Sequence, residues 1–440
     1  MLKEEIKSGK SKIAVYGLGQ IGSAIAAVWL RYGAYVIGVD KSKRVIEEAQ
    51  NGFPNSNEYG VKEAFAKAIE ENRFMAIEDG IEASRLSKIK FVIVPLINNG
   101  TFTDYTAIKD VTEKIGKGLK KNDIVCFNTS LPVGSCDNII LPTLISESNL
   151  KPEEDFFFIY SPERVLVGRI IKDIEENYPA IVSGVGSKSR DIARELYSLI
   201  AKKGVIVMND IRAAELEKLF EGIYRDVNIA LANELAILCN KLNIDFWEVR
   251  EAANSQPYCN IHKAGVGVGG ICIPVYPKFV LDIAKNVKVE CNIVEQARML
   301  NDEMPIYAAR DAMRLTNKKN VTILGLAFRG NVADARLSPS YAIIEEFVKN
   351  GYNVRLHDPY VSESIVPRGV EFTKEIDKAI RDTNLIFIAT DHDEYRMIEE
   401  EFISNLSSDV IIYDGRNVLD RDRFKNIKIY GIGRKNEIMV

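Results

Sequence analysis

The chain has 440 residues, of which 46% are hydrophobic and 27% charged, so it has an ordinary globular composition and room for about three domains. Its 58 basic and 62 acidic residues give a net charge of −4, and the lack of a basic excess argues against nucleic-acid binding. Six cysteines without a CxxC pair and three scattered histidines predict neither a disulfide framework nor a metal site. Without an apolar leader or a run of ~20 apolar residues, a cytoplasmic protein with no membrane segment is expected.

The first predicted elements are a strand, a glycine turn, a helix and a second strand. The first strand ends in the GxGxxG pattern of Gly17, Gly19 and Gly22. Gly17 permits a tight turn, Gly19 lets the backbone approach a pyrophosphate, and Gly22 allows close packing of the helix on the strand. Asp40 ends the second strand 18 residues after Gly22, which is typical of a carboxylate that binds a ribose hydroxyl and favours NAD over NADP. Arg44, close by, is a further predicted cofactor contact and leaves NADP as the alternative.

Further apolar runs separated by helical segments predict more strands of the same sheet. They occupy residues 91–94, 123–127, 156–160 and 180–183. Alternating strands and helices are typical of a parallel, doubly wound α/β sheet. Because ligands of such sheets bind beyond the carboxyl ends of the strands, Glu163 and Arg164, which follow the third of these runs, are candidate site residues; a surface turn is the alternative.

A long helix is predicted over residues 211–242, where apolar residues recur at helical spacing. Its length of ~45 Å suggests that it connects domains and carries a subunit interface. A kink near Gly222 is the alternative, since a glycine costs ~1 kcal/mol in a helix interior. Lys218, Gly222 and Arg225 lie on one face of this helix, where the lysine could stabilise an oxyanion; a solvated lysine is the alternative.

Cys272 follows a segment with four glycines in six positions, residues 265–270. Such a segment lets the backbone approach a ligand closely, so Cys272 is a candidate nucleophile. A small buried core residue is the alternative. The last third then repeats the first predicted order without GxGxxG: a strand and glycine turn from Asn320, a helix from Ser338, and a strand that ends at Asp358.

Taken together, these stretches resemble the UDP-glucose/GDP-mannose dehydrogenase family, and most of all its UDP-N-acetylmannosamine and UDP-N-acetylglucosamine 6-dehydrogenase branch. The matching motifs, in chain order, are GLGQIG at 17–22, NTSLPVG at 128–134, SPERVLVG at 161–168, KLFEGIYRDVNIALANELA at 218–236, GVGGICIPVYP at 267–277, LGLAFRGNVADARLSP at 324–339 and DGRNVLD at 414–420. They extend over nearly the whole chain, so the resemblance is far more specific than any single motif.

The resemblance implies two Rossmann-like, doubly wound parallel-sheet α/β domains joined by a helical middle domain with a long central helix. The expected domains are an NAD-binding domain at 1–208, a helical dimerisation domain at 209–308 and a UDP-sugar-binding domain at 309–440. The implied activity oxidises the C6 alcohol of a UDP-(N-acetyl)hexosamine or related UDP-sugar to the uronate, in two hydride transfers to NAD. A homodimer through the central domain is implied as well.

The resemblance also assigns roles to residues. Cys272 is expected to form a thiohemiacetal and then a thioester, Lys218 to lie beside the sugar oxygen, and Glu163 to handle protons and the hydrolytic water. Ser130 and Arg336 fall on positions that contact the cofactor. The positions that contact the sugar nucleotide are Arg164, Val165, Arg225, Gly269, Phe328 and Arg329.

Several positions depart from the family pattern around the sugar. Gly222 replaces an asparagine, Tyr276 an aspartate and Ile271 a histidine, and Leu96, Gln256 and Tyr258 also differ. We therefore expect an active enzyme for a sugar other than plain N-acetylmannosamine. The alternatives are a two-electron dehydrogenase of the β-hydroxyacid type and a nucleotide-sugar-binding protein with impaired catalysis.

Overall fold

The computed structural model describes residues 2–98, 103–406 and 410–435, which form two compact units, Met1–Phe220 and Glu221–Val440. The strands are β1 (Ile13–Tyr16), β2 (Val36–Val39), β3 (Phe74–Ile77), β4 (Ile89–Val92), β5 (Ile97–Asn98), β6 (Thr103–Asp104), β7 (Ile124–Phe127), β8 (Phe157–Tyr160), β9 (Ala180–Gly184), β10 (Val205–Val207), β11 (Asn320–Leu324), β12 (Asn353–His357), β13 (Glu371–Thr373), β14 (Leu385–Ile388), β15 (Ile411–Asp414) and β16 (Ile429–Gly431). The α-helices are α1 (Leu2–Lys7), α2 (Gln20–Tyr32), α3 (Lys43–Gln50), α4 (Val61–Glu70), α5 (Gly80–Leu86), α6 (Thr106–Gly118), α7 (Leu141–Ser148), α8 (Ile170–Lys172), α9 (Ser187–Tyr197), α10 (Ile211–Leu242), α11 (Phe246–Asn254), α12 (Tyr276–Asn286), α13 (Asn292–Met313), α14 (Pro339–Lys349), α15 (Ile376–Ile380), α16 (Asp393–Arg396) and α17 (Glu400–Leu406).

The first unit is built on an eight-stranded sheet with the order β10-β9-β8-β7-β4-β1-β2-β3. Both faces of this sheet are covered: in β1, Ile13 and Val15 pack into one apolar cluster while Ala14 and Tyr16 pack into another. A strand buried on both faces is apolar at every position, which explains why β1 reads as a continuous hydrophobic run. The doubly wound α/β sheet predicted from the sequence is confirmed.

Two details of this sheet differ from the sequence prediction. Strand β9 runs antiparallel to β8, whereas the remaining pairs of this sheet are parallel. The helical turns between them, Ile170–Lys172 and Asp173–Asn177, are too short for the crossover helix that a parallel pair needs. Strand β4 begins at Ile89 rather than at residue 91. A lysine at position 90 suggests a residue outside the buried strand, but Lys90 is fully buried and pairs with Asp123.

A helical middle part comprises α10 to α13. Helix α10 runs without interruption from Ile211 to Leu242 and passes through Gly222, so the bounds predicted for the long helix are confirmed. Small residues of α10, Ala232 and Ala236, lie in one apolar cluster with Phe246 of α11. Within the described part of the chain, the helices lack the combination of length and hydropathy that crossing a membrane requires.

The second sheet has six parallel strands in the order β13-β12-β11-β14-β15-β16. Residues 325–337, here called the β11–α14 loop, follow its central strand. Helix α14 then begins with Ser338 as its N-cap, whose side chain accepts a hydrogen bond from the Ser340 amide. The sheet confirms the second α/β half, and together the two sheets and the helical part give the predicted fold class.

Candidate active site

The turn between β1 and α2 requires glycine at two of the three glycine positions of its GxGxxG pattern. Gly17 has a φ of +96°, and a Cβ on it would lie 2.8 Å from the Ile93 carbonyl oxygen. A Cβ on Gly22 would lie 1.8 Å from the Gly17 carbonyl oxygen, so the helix packs directly on the turn. A Cβ on Gly19 would meet no atom of the described chain within 4 Å, which leaves room at the α2 N-terminus. Such a helix end favours a negatively charged group.

Asp40 is fixed beside this turn at the carboxyl end of β2. Its carboxylate accepts hydrogen bonds from the Leu18 amide and the Ser42 amide, each at 2.9 Å. Each oxygen of a carboxylate has two acceptor sites, so Asp40 can still accept from a hydroxyl group. The turn and Asp40 therefore fit the pyrophosphate and the ribose of NAD.

The two other predicted cofactor contacts in the first unit, Ser130 and Arg44, differ in their position. Ser130 follows β7, so it lies at the sheet edge that also carries the glycine turn. Arg44 lies on α3, is exposed, and forms an ion pair with Glu48 at 2.7 Å. An exposed pair of this kind contributes little stability, so Arg44 is held only weakly.

Glu163 lies in the loop after β8 and is anchored by Asn128. The Glu163 amide donates to the Asn128 carbonyl oxygen at 3.1 Å, and the Asn128 side-chain amide reaches the Glu163 carboxylate at 3.4 Å. Burial raises the pKa of Glu163 to about 7, and the positive charges of Lys218 and Arg164 offset part of that effect. The structure thus brings Glu163 and Lys218 within electrostatic range. A carboxyl group with this pKa can accept or donate a proton near neutral pH.

Asn128 is a site residue that the sequence reasoning missed. Its side-chain amide also donates to the Ser161 carbonyl oxygen at 2.7 Å and to the Tyr197 hydroxyl at 3.0 Å, so it ties the start of the turn that carries Glu163 to the end of α9. The available signal was its place directly after β7, as the first residue of NTSLPVG.

Arg164 and Val165, two predicted substrate contacts, are engaged within the first unit. The Arg164 guanidinium donates to the Pro179 carbonyl oxygen at 2.6 Å, approaches Glu217 at 3.4 Å and stacks over the Tyr178 ring at 4.9 Å. Val165 is partly buried against the apolar core.

Cys272 in the second unit is exposed, unlike Cys126 and Cys136, whose burial raises the pKa of each thiol. The Cys272 carbonyl oxygen accepts from the Val275 and Tyr276 amides at 3.1 and 3.0 Å, which places the thiol one turn before α12. The alternative of a small buried core cysteine is therefore wrong. An accessible thiol is the form that can react with a substrate carbonyl.

The glycine loop, residues 265–270, packs on the β11–α14 loop. A Cβ on Gly269 would lie 2.6 Å from the Phe328 Cβ, and the Gly270 amide donates to the Arg336 carbonyl oxygen at 2.9 Å. Hydrogen bonding to Asp334 raises the pKa of Arg336, and Cys272 adds a smaller electrostatic contribution. Predicted contacts from two motifs, Gly269 from one and Phe328 and Arg336 from the other, thus meet near Cys272.

A buried polar chain fixes the start of the glycine loop. The Gly265 amide donates to the side-chain oxygen of Asn233 on α10, and the Asn233 side chain donates to Asn301 on α13, both at 2.9 Å. Asn301 donates in turn to Asp226, which also pairs with Arg298 at 2.6 Å. These side chains are almost fully buried, so the glycine loop is tied to two helices at once.

Two departures from the family pattern, Gly222 and Tyr276, form one contact. A Cβ on Gly222 would lie 2.4 Å from the Tyr276 ring, so the ring occupies the space that a side chain at 222 would need. Tyr276 is only 6% exposed, which makes it a packing residue at the base of the Cys272 turn. Most of the other positions that depart from the family pattern are exposed: Gln256, Tyr258 and Ile271. Of the predicted substrate contacts, Arg225 is exposed and Arg329 is half-buried.

Known proteins are similar to this chain over nearly its whole length. Models of the UDP-glucose/GDP-mannose dehydrogenase family match the chain three times: its NAD binding domain at 11–201, its central domain at 212–303 and its UDP binding domain at 322–421. A UDP-N-acetyl-D-mannosamine dehydrogenase of Methanocaldococcus jannaschii is 31% identical over 98% of this chain and 99% of that protein.

Solved structures show the same likeness. That of UDP-D-ManNAc dehydrogenase from Pyrococcus horikoshii has a TM-score of 0.88 at 30% identity and covers 96% of this chain and 99% of that one. That of NDP-N-acetyl-D-galactosaminuronic acid dehydrogenase from Methanosarcina mazei has a TM-score of 0.84 at 29% identity and covers 98% of each chain.

Proposed function

The chain belongs to the UDP-glucose/GDP-mannose dehydrogenase family of NAD-dependent oxidoreductases, and we propose that it oxidises the C6 alcohol of a UDP-(N-acetyl)hexosamine or related UDP-sugar to the uronate. The observation that carries this proposal is the exposed Cys272, placed where the glycine loop packs on the β11–α14 loop. Acetamido-sugar substrates are favoured because the similar proteins are named for such sugars.

Three domains are proposed to divide the work: NAD binding by 1–208, dimerisation by 209–308 and UDP-sugar binding by 309–440. The order of the three family matches supports these bounds. Gly17, Gly19, Gly22 and Asp40 would hold NAD, with Ser130, Arg44 and Arg336 as further contacts. Bound NAD supplies an acceptor for one hydride in each of the two oxidations.

Cys272 provides the covalent chemistry of the second oxidation. Its sulfur forms a bond to the C6 aldehyde carbon, which gives a thiohemiacetal; loss of a hydride and a proton from this carbinol leaves a thioester. Water then attacks the thioester carbon, and breakage of the C–S bond releases the carboxylate and restores the thiol. The adduct is needed because a free aldehyde carries no carbinol hydrogen to give up.

Lys218 and Glu163 assist this chemistry with charge and proton transfer. The Lys218 ammonium stabilises the negative charge that develops on the C6 oxygen. Glu163, with its pKa raised to about 7 by burial, accepts the proton of the attacking water. The substrate would be held by Arg164, Val165, Arg225, Gly269, Phe328 and Arg329. The altered positions around the sugar, including Gly222 and Tyr276, favour a sugar other than N-acetylmannosamine.

A homodimer through the central helices is proposed because α10 leaves a row of apolar side chains exposed. A cytoplasmic setting is proposed because all six cysteines are free thiols, which suits a reducing compartment.

The decisive experiment counts NADH formed per UDP-sugar consumed across a panel of UDP-N-acetylmannosamine, UDP-N-acetylglucosamine, UDP-N-acetylgalactosamine and UDP-glucose. We expect two NADH per molecule for at least one sugar, and no more than one with Cys272→Ala. Cys291→Ala, at a half-buried cysteine outside the site, is the matched control and should keep the wild-type ratio.

Each other result removes part of the proposal. One NADH per substrate in the wild-type protein would indicate a two-electron dehydrogenase. Binding without NADH formation would indicate a nucleotide-sugar-binding protein. Full activity on UDP-N-acetylmannosamine would defeat the altered specificity alone.

A further inference from the structure

The β11–α14 loop carries Phe328 and Arg329. It is held by groups at the ends of β12 and β14, the two strands that flank β11. Asp358 directly follows β12 and is fully buried, and its Oδ2 accepts hydrogen bonds from the Leu326 and Ala327 amides at 2.8 and 2.9 Å. This carboxylate corresponds in position to Asp40 of the first unit, which accepts from the Leu18 amide. Asp358 has no exposed surface with which to accept from a ribose, so its function is to hold the loop.

Residues after β14 hold the same loop from the other side. The Thr390 hydroxyl donates to the Ala327 carbonyl oxygen at 2.6 Å, and Asp391 accepts from the Gly330 amide at 2.9 Å. The next residue, His392, accepts from the Asn331 amide at 2.9 Å through Nδ1. Backbone groups of Leu326, Ala327, Gly330 and Asn331 are therefore hydrogen-bonded to residues at strand ends on either side.

The hydrogen bonds of His392 fix its protonation state. A backbone N–H can only donate, so Nδ1 of His392 must present its lone pair to Asn331. The hydrogen then lies on Nε2, which points to Asp358 Oδ2 at 3.2 Å. His392 is fully buried, with its ring stacked on Tyr360 at 4.9 Å. This arrangement requires the neutral imidazole.

The charged and titratable groups around His392 come from the end of β12 and from α16. Burial raises the pKa of Asp358, but hydrogen bonds from His392 and backbone amides outweigh it and lower the pKa to about 2. Burial lowers the pKa of His357, on the same strand end, to about 4. Burial raises the pKa of Glu394, which lies two residues after His392. The Tyr395 ring packs edge-on against the His392 ring. Asp393 binds the Asn331 side chain at 2.6 Å.

We propose that His392 is a positioning residue whose neutral imidazole holds the β11–α14 loop in place, so that protonation of His392 weakens UDP binding. An imidazolium would direct an Nδ1–H at the Asn331 N–H, which sets two donors against each other, while Asp358 and Glu394 would still attract the cation. The proposal rests on the proposed function, because Phe328 and Arg329 on this loop are the proposed sugar-nucleotide contacts.

Calorimetric titration of the full-length protein with UDP at pH 8.0 and pH 5.5 tests this proposal. We expect the Kd of UDP to rise about tenfold more on acidification in the wild type than in His392→Asn, whose side-chain oxygen can replace Nδ1 as an acceptor but does not titrate. The comparison cancels the titration of the UDP phosphate itself. His392→Leu, without an acceptor, should bind UDP weakly at both pH values. His262→Asn, at a half-buried histidine of the same unit, should behave as wild type.

Titration of the same proteins with NAD gives an internal control, because the proposed NAD contacts lie mainly in the first unit. The Kd of NAD should change less than twofold among the variants at each pH. Equal pH dependence in the wild type and His392→Asn would overturn the role of His392 and leave the proposed function intact. Failure of the wild type to bind UDP at pH 8.0 would overturn the proposed substrate class and this inference together.

Discussion

Glu163 combines a functional requirement with a cost in stability. Its carboxyl group is buried in the turn held by Asn128, and this burial raises its pKa from 4.5 to about 7. The folded protein therefore prefers the protonated acid, whereas the unfolded chain ionises at the ordinary value. The stabilising contribution is complete below about pH 4.5 and is lost as the pH rises through about 7. A proton acceptor for neutral pH is thus obtained at the expense of stability at that pH.

The Glu163→Gln variant should separate these two effects. It removes the buried charge, so at pH 8 the variant should be more stable than the wild type, by on the order of 3 kcal/mol, with a smaller difference at pH 5. Its kcat should fall by a factor of about 10² to 10⁴, because the amide cannot accept the proton of water. Urea unfolding at both pH values and steady-state rates measure the two effects. A stability difference that does not depend on pH would contradict the burial argument.

A second buried charge, Lys90, serves the fold rather than the site. The lysine is fully buried in β4 and pairs with Asp123; burial lowers its pKa to about 8 while Asp123 partly offsets that shift. Asp123→Asn should destabilise the protein by roughly 3–5 kcal/mol, because it leaves a buried ammonium without its counter-charge. The control is Asp110→Asn in the exposed pair with Lys114 on α6, where less than about 0.5 kcal/mol is expected. Similar unfolding midpoints for the two variants would refute this prediction.

Among the elements, α10 contains Gly222 in its interior, although glycine has a low helix propensity. Gly222→Ala would gain up to about 1 kcal/mol of helix propensity, but the new methyl group would lie 2.4 Å from the Tyr276 ring. Overpacking of this kind costs about 1–3 kcal/mol, so a net loss of stability is expected. Because Tyr276 begins α12 one turn after Cys272, kcat should fall as well.

The double-mutant cycle provides the control for this contact. In a Tyr276→Ala background the obstruction is absent, so Gly222→Ala should become neutral or stabilising, and the sign of its effect should reverse. The same loss of stability in both backgrounds would show that the ring is not the reason for the glycine. Tyr276→Phe keeps the ring and should behave as wild type in this cycle.

At the scale of the whole molecule, the sequence was informative where a structure depends on local pattern. The bounds of α10 follow from a periodic run without helix breakers, and the first glycine turn follows from the GxGxxG spacing, in which Gly22 packs on the Gly17 carbonyl oxygen five residues earlier. Pairings between distant residues were out of reach: Asn128 with Glu163, Tyr276 with Gly222, and His392 with Asn331. These depend on which elements pack together, and no short-range spacing encodes that.

The assembly of the molecule is the remaining property on which the proposed function depends. Helix α10 exposes Tyr224, Leu231 and Leu238 at seven-residue spacing and Leu242 one turn later, with exposed fractions of 47% to 59%. Such a stripe on one helix face is typical of a helix that packs on another, and a second copy of the chain is the proposed partner.

Replacing Leu231 and Leu238 together by glutamate should therefore convert a dimer to a monomer in sedimentation-velocity experiments, since burying two carboxylates in an apolar interface is strongly unfavourable. Met397→Glu makes the same kind of change at a residue that is 75% exposed outside the central helices, and it should leave the dimer intact. A double variant that still sediments as the wild-type dimer would place the interface elsewhere. A wild type that is monomeric at micromolar concentration would exclude the dimer itself.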